Sequence, residues 1–303
     1  MFSRVLVVSV LVSFVASGCS IRRYAMNQAA DALAASGSTF ASDNDPELIK
    51  AAAPFSLKLM ETFLAENPRH SGLLTAAASG FTQYAYAFVQ QEADEIEPDD
   101  LSAAEALRAR ARRLYLRAKA YGLRGLVARH PGFTEELASD PQAAVRRTAK
   151  EDVPLLYWTA AAWASAISLS KDNPEIVGQI PAMEALIDRA LVLNEAFEKG
   201  AIHNFMISYE MNRHALPGDP VARTRKHFER SVALSKGCDA SPFVALAEAV
   251  TIQKQDVKEF ESLLNQALAI NPDAYPENRL VNTVMQKRAR WLLSRKSELF
   301  LIE

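Results

Sequence analysis

Five stretches of this chain close in the same way, and their spacing limits the fold more than any other feature. They are Leu64-Ala65-Glu66-Asn67-Pro68, Val127-Ala128-Arg129-His130-Pro131, Leu191-Val192-Leu193-Asn194-Glu195, Val232-Ala233-Leu234-Ser235-Lys236 and Leu268-Ala269-Ile270-Asn271-Pro272. Each is a last apolar turn followed by a polar residue, and three of the five end in proline, which cannot continue a helix. The final residues stand at 68, 131, 195, 236 and 272, giving intervals of 63, 64, 41 and 36. Between them the apolar residues recur at helical spacing and almost nothing alternates with period two, so the expected class is all-α. Start signals agree with this. Asp45-Pro46, Asp140-Pro141, Asp219-Pro220 and Ser241-Pro242 each set a capping oxygen before a proline, which at the first helical position gives up no needed N–H. Ser102 to Glu105 and Asp256 to Glu259 have the spacing of a capping box.

The segment Leu264-Asn265-Gln266-Ala267-Leu268-Ala269-Ile270-Asn271-Pro272 resembles the close of a tetratricopeptide repeat, whose period is about 34 residues. The last two intervals are near that period. The first two carry extra material, expected as an acidic loop from Glu92 to Asp100 and an insertion from Thr134 to Asp152. The architecture expected is therefore an array of antiparallel helix pairs, a degenerate tetratricopeptide-like α-solenoid, with a generic helical bundle as the competing arrangement. Stacked hairpins share one continuous core and leave a concave surface for a partner or ligand.

The first 18 residues read as a signal peptide. Arg4 supplies a positive start, Val5 to Val15 is apolar apart from serines, and Ala16-Ser17-Gly18 are the small residues a signal peptidase needs. Small-small-Gly followed by Cys19 resembles the lipobox of bacterial lipoproteins, which implies acylation of Cys19 and cleavage before it. An ordinary secretory signal is the alternative. Residues 19–44 read as a tether with a short helix near Tyr24 to Ala35, and 45–303 as the helical domain. With Ser20 after the cysteine, the outer membrane is the expected destination in preference to the inner.

Removing the signal removes Arg4 and leaves 33 basic against 36 acidic residues. No basic stripe suited to nucleic acid is evident. Only two cysteines exist, so with Cys19 acylated Cys238 has no disulfide partner and is expected to be a small buried hydrophobe. No HExxH, GxSxG, glycine-rich phosphate loop or CxxC pair occurs, so no catalytic residue, metal ligand or cofactor is assigned. His203 and Glu210 could share a helix face, where a buried, satisfied histidine is expected rather than a metal ligand or a hydrolase site. The suggestive feature is aromatic. Tyr157, Trp158 and Trp163 lie on one alanine-rich segment, and Phe81, Tyr84, Tyr86 and Phe88 crowd another. Two roles are open to these rings: core packing between close helices, or the lining of an apolar cleft, for which Tyr157, Trp158 and Trp163 are the candidates.

Several stretches taken together resemble the T component of tripartite ATP-independent periplasmic (TRAP) transporters. They are Tyr157-Trp158 to Trp163, Gly200-Ala201-Ile202-His203 with Tyr209-Glu210, His227-Phe228 to Leu234, and a C-terminal run from Phe260 through Pro276-Glu277-Asn278-Arg279 and Lys287-Arg288-Ala289-Arg290-Trp291 to Leu299-Phe300. The resemblance covers roughly 45–300. It implies a non-enzymatic periplasmic lipoprotein, held to the membrane by its N-terminal lipid. Such a protein would associate with the transporter's solute-binding protein, form homo-oligomers, and take a small organic ligand of apolar character. A lipoprotein scaffold of the cell-envelope assembly machinery, with no small ligand, is the alternative use of the same repeats.

Overall fold

The computed structural model describes residues 26–213 and 217–301, and every described regular element is helical. The expected signal peptide, Cys19 and Tyr24 lie outside those residues. From the N-terminus come two short helices, α1 (26–34) and α2 (Gly37–Ala41), then the long hairpin α3 (Pro46–Glu66) and α4 (71–96). Next come α5 (Leu101–Arg129), the short α6 (Phe133–Ser139) and α7 (Pro141–Arg146), then α8 (Val153–Ser168) and α9 (Ile180–Leu193). The chain continues through α10 (Ala201–Glu210), α11 (Pro220–Ser235), α12 (241–254), α13 (Val257–Ala269) and α14 (Arg279–Ser294).

Three of the predicted starts hold. Asp45, Asp140 and Asp219 each accept bonds from the first-turn N–H groups of α3, α7 and α11. Two others are corrected. Asp100, not Ser102, caps α5 by accepting from Ala103 N. Ser241 is already helical, and its N–H is held by Asp239. An aspartate two residues earlier won each time, because its carboxylate reaches further and carries charge. At α13 only half of the expected box forms: Asp256 accepts from Glu259 N, while the Glu259 carboxylate turns to Arg225. The acidic stretch after Gln91 is not a loop. It continues α4 through a π-turn over Tyr86–Gln90 as far as Ile96, because Asp94 and Glu97 pair with Arg108 and Glu95 with Lys287. The insertion after Thr134 folds largely into α6 and α7.

The apolar core runs as three clusters joined by shared helices. In α8, Ala162 and Ala166 belong to the first cluster, Ala160 and Trp163 to the second. In α10, Met206 belongs to the second and Ile207 to the third. In α14, Met285 belongs to the third cluster and Val284 to the first. The array is thus serial, and its last helix returns to its first hairpin. Ionic contacts seal that seam. Arg288 bridges Asp94 of α4 (3.1 Å) and Glu248 of α12 (2.7 Å), and lies over the Trp291 ring at 4.2 Å. Lys287 reaches Glu95 at 3.2 Å.

The segment 26–42 lies against the first hairpin and starts at the turn 67–70. Asn67 donates to Asn27, His70 faces Asp31 at 3.2 Å, and Ala30 is buried against the first hairpin. At its other end Arg279, the first residue of α14, donates to the carbonyl of Ser42. One rim of the array carries the turns that follow α3, α5, α9, α11 and α13. The opposite rim carries those that follow α4, α8, α10 and α12.

Candidate functional site

Helices α4 and α8 pack together, and so do α10 and α12, which makes one wall of the array. Close approach along it is set by small residues. A Cβ at Gly122 of α5 would stand 2.0 Å from Thr159 Oγ1, and one at Gly125 would stand 2.5 Å from Leu155 Cδ2. The glycines let α5 press α8 inward, and α8 then presents Pro154, Trp158 and Ser165, spaced on one face and partly exposed.

Tyr86 sits beside the seam residues Glu248 and Arg288. It keeps 39% of its surface open to water, yet its hydroxyl is pushed up to about 12, chiefly by desolvation and then by Glu248. Arg288, Gln91 and Asp94 also act on it, so groups of three helices surround it. Tyr86 thus stands beside charged groups of α4, α12 and α14 while its side chain stays partly open to solvent. Tyr86 and Glu248 each sit in a π-turn, Tyr86–Gln90 and Ala247–Thr251 respectively. Such turns redirect side chains and gather at functional positions. Next to Tyr86, Tyr115 is fully buried, donates to Gln90 Oε1 at 2.7 Å, and has its hydroxyl pushed well above the ordinary range by burial.

A second group of side chains lies nearer the rim with the turn 67–70. Tyr157 is 8% exposed, meets Trp158 edge-on at 4.8 Å and touches the Phe197 ring at 5.4 Å. Glu198 follows in a turn where Glu198, Lys199 and Gly200 all take positive φ (43°, 55° and 99°). This left-handed run is costly for the two residues with a Cβ. It aims the Glu198 carboxylate at the Trp158 indole N–H. Glu198 is solvent-exposed, yet the surrounding protein lifts its carboxyl to about 7, with the Trp158 N–H opposing the rise. Asp239, also raised by burial, and Glu198 both act on the Tyr157 hydroxyl. Among the described residues neither Glu198 nor Asp239 makes an ion pair within 4.0 Å.

Of the three rings singled out in the sequence, Tyr157 packs in the core and only Trp158, edge-on to it, is partly exposed. Trp163 stands apart, 5% exposed, with its N–H on Gln179 Oε1 (2.9 Å) and Lys119 Nζ 3.6 Å above its face. Burial lowers that lysine to about 8. In the other cluster Phe81, Tyr84 and Phe88 pack in the core, Phe88 also touching the seam cleft, while Tyr86 is exposed. His203 and Glu210 do not meet. His203 Nδ1 lies 2.8 Å from His227 Nδ1 and its Nε2 3.3 Å from Glu195, while Glu210 is buried between Arg213 and Arg223. Burial lowers both histidines, His227 to about 4. Sequence reasoning missed Glu198, Asp239, Glu248 and Arg288. The dipeptide Lys199-Gly200 hinted at a tight turn, but nothing local marked which charges would stand beside the rings.

A cleft of about 460 Å3 opens at the seam, lined in part by Lys50, Phe88, Gln91, Ile96, Val284 and Lys287. No three His, Cys, Asp or Glu side chains among the described residues are placed to hold a metal ion, and no described helix is long and apolar enough to cross a membrane.

Comparison with known proteins agrees with this architecture. A protein of Treponema pallidum (strain Nichols), described as uncharacterized, is 28% identical over 303 residues, with 94% of each chain covered. The family model for the TRAP transporter T-component matches residues 42–300, which takes in every hairpin of the array. With the all-helical array and a match over most of its length, the chain belongs to the TRAP transporter T-component family.

Proposed function

We propose that the protein is a lipid-anchored accessory subunit that docks the periplasmic solute-binding protein of a TRAP transporter and takes a small apolar organic ligand. The T-component family supports the transport role. What supports the ligand part is aromatic surface left open to solvent: Tyr86, 39% exposed, and Trp158, partly exposed and edge-on to Tyr157 at 4.8 Å. Aromatic rings give large contact area with a polar edge, which suits a ligand carrying one polar group. Unpaired Glu198 and Asp239, near Tyr157, would receive that group. Acylation at Cys19 confines the subunit to a membrane surface, where weak contacts with a tethered partner suffice because the effective concentration is high.

Co-purification from the native membrane tests the docking, and native mass spectrometry of the product tests the ligand. Recovery of a periplasmic solute-binding protein and a retained organic mass, lost in Trp158→Ala, is the expected result. Recovery of envelope-assembly proteins with no organic mass overturns the proposal in favour of a scaffold.

A further inference from the structure

The position of 26–42 bears on how the ring sits in the cell. Resting on the reading of Cys19 as acylated, we infer that the rim carrying the turn 67–70 faces the lipid bilayer. The turns 194–200 and 236–240, with Glu198 and Asp239, and the Trp158 end of α8 then face the membrane, and the turn after α8 that holds Lys171 points away.

The reasoning is one of reach. The helix 26–34 is fixed to the rim at its start, through Asn27 with Asn67 and Asp31 with His70. Its far end is fixed through Ser42 with Arg279, so this strap does not swing free. Met26 is seven residue steps from Cys19, and an extended chain covers at most ~25 Å in that length. The run 71–96 rises ~39 Å from rim to rim. An anchor tied to the upper rim cannot let the lower rim rest on the bilayer with the ring upright. Glu198 and Asp239 lie in the turns 194–200 and 236–240, and Trp158 is near the start of α8, all at the anchored rim. Tyr86 lies about four turns deeper along α4. A ligand coming from the membrane side would thus meet Trp158, Glu198 and Asp239 before Tyr86.

The test uses the full acylated chain in phosphatidylcholine and phosphatidylglycerol vesicles containing a lipid with a nitroxide on its headgroup. One reporter cysteine at a time is labelled with a fluorophore: Glu66→Cys on the anchored rim, Arg113→Cys on the outer wall and Lys171→Cys on the far rim, all exposed positions. Cys238 is 5% exposed and stays unlabelled. Quenching is expected to be strongest at 66, weaker at 113 and near background at 171. Inserting twenty Gly/Ser residues between positions 22 and 23 is expected to reduce quenching at 66 by half or more. Equal quenching at 66 and 113, as when the arginine-rich wall of α5 lies on the bilayer, overturns the inference, and so does stronger quenching at 171. Mass spectrometry of the same preparation separates the premises. A mature chain without acyl mass overturns the anchor and the orientation together, whereas an acylated chain with the reversed order overturns the orientation alone.

Discussion

Gly122→Ala is the sharpest probe of how α8 is placed. In an exposed helix interior this change stabilises by about 1 kcal/mol, because glycine is a poor helix former. Here the new Cβ would meet Thr159 Oγ1 at 2.0 Å, Thr159 Cβ at 3.0 Å and Thr159 Cα at 3.3 Å. The hydroxyl has no easy escape, since Thr159 is fully buried and bonds to the carbonyl of Leu155. Even with the hydroxyl gone, backbone approaches the methyl, so α5 and α8 must part. Overpacking of this kind costs about 1–3 kcal/mol, and the opened space around Leu155 adds to it. Set against the propensity gain, the net loss is about 2 kcal/mol, or roughly 4–6 °C in Tm for a chain of this size. Urea unfolding followed by tryptophan fluorescence measures it. Thr159→Ala alone is expected to cost about 1 kcal/mol, and the double variant to fall short of the sum by about 1 kcal/mol, because the worst contact is gone. Gly37→Ala, where a Cβ meets nothing within 4 Å, is the control and should lose nothing. If Gly122→Ala matches or exceeds the parent protein in stability, the close crossing of α5 and α8 is wrong, and with it the reason α8 presents Trp158.

Glu198 holds its proton more tightly in the folded chain than the ordinary carboxyl value of 4.5, so stability falls as pH rises from about 4.5 to 7. Glu198→Gln should lack that fall, and Trp158 fluorescence should titrate near pH 7 in the parent and not in the variant. His227, held neutral down to about 4, acts oppositely: its contribution is lost as pH falls from 6.5 toward 4, and His227→Phe isolates it by the same unfolding series. Arg288→Met should cost about 2 kcal/mol, less than a fully buried pair would lose, because Asp94 and Glu248 stay about one-quarter exposed and Asp94 keeps Arg108. Hydrogen exchange should then speed up in the second half of α4 and in α14 while α9 is unchanged. Burial raises the Cys238 thiol, whose Sγ donates to the Ser235 carbonyl, so it should react with a disulfide reagent only as fast as the chain unfolds.

The helix ends were legible because they are local. Asp45, Asp140 and Asp219 announce starts within three residues, and Asn67, His130 and Asn194 stand at stops wherever an apolar turn precedes them. Composition and period then give hairpins in series. What escaped was everything made by distant partners. The π-turn at Tyr86 exists because Asp94 and Glu95, downstream in the same helix, are fixed by Arg108, Arg288 and Lys287. The pairing of His203 with His227 and Glu195 joins three elements that no spacing rule connects. Among the rings, the sequence offered no way to separate Trp158, partly exposed, from Trp163, five residues on and turned to Gln179. The difference is a matter of which neighbour each face of α8 meets.

Because α14 joins the first cluster to the third, no hairpin of the array has a vacant flank. An open solenoid can gain or lose a unit at little cost and frays from its ends. A circuit cannot: one unit more or fewer would leave Arg288 facing the wrong helix and the strap too short or too long. The number of hairpins is therefore locked by geometry, and melting should begin everywhere at once rather than at a terminus. Material such as α6 and α7 fits within a turn of the array without touching the closure.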